Sequence, residues 1–123
     1  MFLGELRAGP ANSTLPVIIA MDANAQAFPL PQDPTYADFV SAGYKDAWST
    51  IFPKTAGLTC CQDEADNNPI SQLYQRIDLV LTLGKVAPWG AALIGNNPRS
   101  RLPDGLWPSD HAALVAGVIV GHH

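Results

Sequence analysis

The sequence predicts a single α/β domain, and three stretches carry that expectation. "LPVIIAMDAN" holds a short apolar run, Val17 to Met21, rich in β-branched residues, which fits a strand covered on both faces. "RIDLVLTL" alternates: Ile77, Leu79, Leu81 and Leu83 take one face, and Arg76, Asp78, Val80 and Thr82 take the other. Between them, "DPTYADFVSAGY" has helical spacing, with Tyr36, Phe39 and Val40 as the inward stripe. At 123 residues the chain is long enough for one domain and one core, and no linker or internal repeat divides it.

The elements are bounded by local chemistry. "MFLGELRAGP" reads as a helix with Phe2, Leu3 and Leu6 on one face and Gly9-Pro10 as its stop. Nothing caps its start, so it reads as a helix that has been cut. The first strand runs out at Asp22 and Asn24. After a Pro-rich loop, Asp33 is the expected N-cap of the second helix, Pro34 its first residue and Gly43 its stop. Residues 44–75 read as irregular, with one short strand around Leu58 to Gln62. "GAALIGNNPRSRLPDGLWPSD" reads mostly as loop, and "HAALVAGVIV" as the last strand.

Composition narrows the function. Hydrophobic residues make up 47% of the chain, which excludes a disordered tail. Charged residues make up only 15%, low for a free-standing domain, and this points to apolar surface meant for a partner. A net charge of -4 argues against a sequence-blind nucleic-acid binder, which needs a basic face. It leaves room for an enzyme whose bound cation offsets phosphate charge. No run approaches the length of a membrane span, and the N-terminus lacks the features of a signal peptide, so the compartment stays open. Cys60 and Cys61 are adjacent. Neighbours rarely bridge each other and two unspaced cysteines make no metal site, so both read as small buried hydrophobes.

Three strands present polar groups at an end or on one face: Asp22 with Asn24, then Asp78, then Ser109, Asp110 and His111. Charges are costly in strands unless paired or ligated. Three carboxylates, an amide and an imidazole suit metal-dependent phosphoester cleavage. Carboxylate oxygens hold a hard cation such as Mg²⁺. A carboxylate and an amide orient or deprotonate a water. An imidazole held by another carboxylate stabilises the charge that develops at phosphorus.

In this order and spacing, "PVIIAMDAN", "QRIDLVLT" and "WPSDHAALVA" resemble the GDxN, RID and SDH strands of the endonuclease/exonuclease/phosphatase superfamily, the deoxyribonuclease-I-like fold. "GLTCCQ" resembles a segment between the first two in a bacterial branch. The resemblance covers essentially the whole chain. It implies half of a four-layer α/β sandwich, mainly antiparallel β-sheet with helices on one face. It also implies roles. Asp22 positions or activates the attacking water, and Asn24 contacts phosphate. Asp78 accepts a hydrogen bond from His111 and fixes its tautomer. His111 contacts the scissile phosphate, and Asp110 lies at the metal site. Arg76 and Ser109 are supporting. The implied cofactor is Mg²⁺, Mn²⁺ or Ca²⁺, and the substrate a nucleic acid, a phospholipid head group or an inositol phosphate.

The sequence departs from the family pattern in three places. Met21 stands where a glycine usually precedes the aspartate, and Ala23 where a bulkier residue is usual. The larger departure concerns the glutamate that the family supplies from an earlier strand as a principal metal ligand. The only glutamates here are Glu5 and Glu64, neither on a suitable strand. Residues 1–123 are therefore expected to be one partial domain, lacking the N-terminal half and associating with a second copy or with a chain that carries the missing half. The alternative is an inactive family fragment that serves as an interaction or complementing half-domain.

The remaining polar and aromatic residues read as structural. Trp48, Trp89 and Trp107 are expected as core or loop anchors, Arg99 and Arg101 as solvated loop, and Asp63, Glu64 and Asp66 as solvated surface. His122 and His123 are assigned no metal role.

Overall fold

The computed structural model describes residues 3–4 and 14–121. Its elements run β1 (Val17–Asp22), α1 (Pro34–Ser41), β2 (Lys45–Asp46), α2 (Ala47–Ile51), β3 (Asp78–Leu83), β4 (Val86–Ile94), a 3₁₀ turn (Pro98–Ser100) and β5 (Ala113–Val120). β3 lies between β1 and β2 and is antiparallel to both. β4 and β5 form a second, two-stranded antiparallel sheet. The mixture of helices and antiparallel strands agrees with the α/β expectation. Among the described residues no helix is long and apolar enough to cross a membrane.

The alternation of "RIDLVLTL" divides the three-stranded sheet into two faces. Leu79 and Leu81 are almost completely buried, and they meet Tyr36 and Phe39 of α1 together with Ala27 and Tyr44. Val17, Ile19 and Met21 of β1 pack against the same cluster. α1 starts where the sequence places it: the Asp33 side chain accepts from the Thr35 amide at 2.8 Å, Pro34 opens the helix and Gly43 follows it with a positive φ. Val40, expected inside, is exposed, so the buried stripe narrows to Tyr36 and Phe39. β1 was expected to be covered on both faces. It is covered on one: Val17, Ile19 and Met21 pack against the α1 cluster, whereas Ile18, Ala20 and Asp22 are exposed.

A buried ion pair anchors the helix-covered side. Asp46 caps α2 by accepting from the Trp48 amide at 3.0 Å, accepts from Tyr36 Oη at 2.8 Å, and pairs with the Arg76 guanidinium. Arg76 Nε also donates to the Ala56 carbonyl at 3.0 Å. Burial, with the Asp46 charge beside it, pushes the Tyr36 hydroxyl pKa up, so it stays a donor. The Trp48 ring lies over Gly57, whose φ is +67; a Cβ there would come within 2.3 Å of the ring. Glycine is needed at this position on both counts.

Three further expectations are corrected. Residues 90–94, expected as loop, are the second half of β4. Pro88 and Gly90 hid this strand in the sequence; β4 is an edge strand, where a proline is tolerated, and the register shifts between the two residues. The segment near Leu58 to Gln62 is not a regular strand but an isolated bridge, with Cys60 opposite both Gln75 and His111. Cys60 and Cys61 turn their side chains to the same side of the chain, and Cys61 is only half-buried. Extended-strand alternation would send neighbouring side chains to opposite faces, whereas both sulfurs here lie near His111. Cys60 is nevertheless buried, as expected. Leu3 and Gly4 are helical; the rest of the predicted opening helix, including Glu5, lies outside the described residues, as do His122 and His123.

Removing one partner of the buried pair leaves the other charge buried alone. Arg76→Ala and Asp46→Ala should therefore each lower unfolding stability by about 3–5 kcal/mol in urea denaturation. A loss below about 1 kcal/mol for both would show that the pair is no anchor.

Candidate active site

The register of the β1–β3 ladder builds the first half of the site. Asp22 is directly opposite Asp78. Residues directly opposite in an antiparallel pair project to the same face, so the two carboxylates are neighbours on the face away from α1. Asp22 Oδ1 accepts from the Asn24 amide at 2.9 Å, which turns the chain as β1 ends. Asn24 has φ +47, a left-handed conformation that asparagine tolerates well. Its backbone thus has a structural role whatever its side-chain amide does.

β5 supplies the second half. His111 lies just before β5, and its Nδ1 is 2.8 Å from Asp78 Oδ2. The backbone holds it there from two sides: the Ala112 amide donates to the Thr59 carbonyl at 2.8 Å, and the Gln62 amide donates to the Asp110 carbonyl at 2.8 Å. Ser109 Oγ accepts from the His111 amide at 3.1 Å, so Ser109 supports the turn. Burial pulls the His111 pKa down. The hydrogen bond and charge of Asp78, with the charges of Asp110 and Asp22, outweigh it and raise the ring above its usual 6.5.

Of the predicted residues, Asp22, Asp78 and His111 come together: one ligand atom from each lies within 4.8 Å of the others. Asp110 is exposed and near enough to act on His111 through its charge, but it is outside that cluster. Arg76 does not share the Asp78 face as the alternation suggested. The chain leaves the ladder at Ile77, and Arg76 turns to the helix side to meet Asp46. Its support is structural.

Thr59 was missed in the sequence. It is fully buried, and its Oγ1 accepts from the amides of Ile77 and Asp78 at 3.2 and 3.3 Å, fixing the start of β3. Its only sequence signal was a β-branched residue within the "LTCC" stretch.

A divalent cation fits the donor set in part. Among the described residues, Asp22 Oδ2 and Asp78 Oδ1 accept no hydrogen bond and are free to ligate. Two such carboxylate oxygens suit a hard cation that keeps several waters. His111, with its pKa raised by Asp78, serves better as a charged donor toward an anion than as a ligand to such an ion. Comparison with known proteins finds no family model and no curated sequence that matches the chain.

The raised pKa has a sign. Protonated His111 is favoured in the folded state, so its contribution to stability is complete below about 6.5 and is lost as pH rises through the higher folded value. By NMR titration the His111 midpoint should lie above 6.5 in the wild type and at or below it in Asp78→Asn, where burial dominates. An unchanged midpoint in that variant would remove Asp78 as the cause.

Proposed function

We propose that the chain carries the C-terminal half of a metal-dependent phosphoester hydrolase of the endonuclease/exonuclease/phosphatase superfamily, with the corresponding half of its four-layer sandwich. One observation carries the reading: Asp22 faces Asp78 across the ladder while His111 holds Asp78 at 2.8 Å. The three motif residues that the resemblance names thus share one face of one site.

In this reading Asp22 orients a water for in-line attack on phosphorus. Asp78 keeps the Nδ1 proton on His111, and the ring presents Nε2 to a phosphate oxygen, where positive charge counters the charge that develops. Asn24, two residues past Asp22 and exposed, offers its amide to the phosphate. A divalent cation, Mg²⁺ or Mn²⁺, would be held by Asp22 and Asp78 with Asp110 nearby, and would supply Lewis acidity. The substrate is a phosphodiester or phosphomonoester borne by a nucleic acid, a phospholipid head group or an inositol phosphate. The net charge of -4 disfavours the first of these.

A second reading has its own support. No glutamate among the described residues reaches the cluster; Glu64 is exposed in a turn. The same chain would then be an inactive half-domain that complements or associates with another. Ile18, Trp89, Ile94, Val115 and Ile119 are exposed apolar residues on the two sheets, which fits a partner in either reading.

Hydrolysis of a generic phosphodiester with Mg²⁺ or Mn²⁺ separates the two. Under the first reading the purified chain is active, chelation abolishes activity, and Asp22→Ala and His111→Ala each fall at least about 100-fold. Activity no higher than in those variants would favour the second reading.

A further inference from the structure

The helix-covered side holds a cavity that the phosphoester site does not use. Its volume is about 350 Å³. Phe28, Leu30 and Phe52 line it and are all exposed, so its open side is apolar. Arg76 and Lys54 line it as well, and among the described residues no carboxylate does. Arg76 is 5% exposed and only partly paired: Nε donates to the Ala56 carbonyl and Nη1 to Asp46, while Nη2 has no hydrogen-bond partner among the described residues. The hydroxyls of Tyr36 and Ser49, on the same wall, both donate to Asp46, so neither has a proton left for a ligand. A buried donor without a partner is costly, and a guanidinium edge is well shaped for an oxyanion.

Charge and volume set the class of anion. Asp46 offsets one of the two positive charges, Arg76 and Lys54, which leaves one. That matches a carboxylate, whereas a phosphate monoester carries about two negative charges near neutral pH. The volume lies at the small end of ligand sites and leaves room for an apolar body of roughly ten heavy atoms. We propose that this cavity binds a small amphiphilic carboxylate, with its head on Arg76 Nη2 and Lys54 and its apolar body along Phe28, Leu30 and Phe52. The site is on the side of the sheet away from Asp22, Asp78 and His111, so it does not rest on the hydrolase reading.

The test titrates the full chain with octanoate and follows backbone amide shifts by NMR. Acetate supplies the head alone and octanol the body alone. Octanoate should saturate with a Kd of about 1 mM or tighter and should shift residues 27–32, 49–56 and 76. Acetate and octanol should each bind at least about 10-fold more weakly. Arg76→Ala removes a fold anchor, so the exposed Lys54 carries the mutational arm. Lys54→Glu should weaken octanoate at least about 5-fold and leave octanol unchanged. Shifts without saturation overturn the proposal, as do shifts centred on the exposed Trp89 and Ile119. So does octanol binding as tightly as octanoate, or Lys54→Glu binding octanoate as the wild type does. Octyl phosphate binding more tightly than octanoate overturns the carboxylate assignment.

Discussion

The pairing of β1 with β3 in one register is the constraint on which the rest depends. Side chains alternate with a period of two, so a slip of one residue would carry Asp22 to the α1 side and Ile18 and Ala20 into the core. The apolar set prevents this. Val17, Ile19 and Met21 face the same cluster as Leu79 and Leu81, and a slip of one residue would turn them away from it. The energy that sets the carboxylates side by side is therefore hydrophobic burial on the opposite face, at roughly 25 cal/mol per Å² of apolar surface.

Each face keeps its own polar chemistry. On the helix side, Asp46, Arg76 and Tyr36 form a buried network whose members satisfy one another. On the other side, Asp78 and His111 remain partly open to solvent. The segment from Thr59 to Gln62 joins the two halves of the site. It holds the start of β3 through Thr59 Oγ1 and the approach to β5 through the backbone at Thr59, Cys60 and Gln62. The sulfurs and the imidazole meet because this one bridge brings them to the same place.

Much of this was legible in the residues. The alternation in "RIDLVLTL" gave the buried face of β3, and Asp33-Pro34 the start of α1, since both depend on local chemistry alone. The meeting of Asp22, Asp78 and His111 was readable only through resemblance, because nothing local sets the distance between strands more than 30 residues apart in sequence. β4 was hidden by Pro88 and Gly90, which interrupt a strand pattern and are tolerated here at a register shift on an edge strand. The direction of Arg76 was hidden by the break at Ile77, where alternation stops being a guide. Thr59 and the cysteine pair were misjudged for a related reason: their partners lie across an isolated bridge, which leaves no periodicity to read.

We propose that residues from β1, β3 and the approach to β5 make one cation-binding face. Paramagnetic broadening of backbone amide resonances by substoichiometric Mn²⁺ tests it most directly. The expected result is broadening confined to residues 22–24, 78 and 109–111, and abolished in Asp22→Ala. Broadening centred on the acidic turn at Asp63 and Glu64, or spread evenly over the surface, would contradict it.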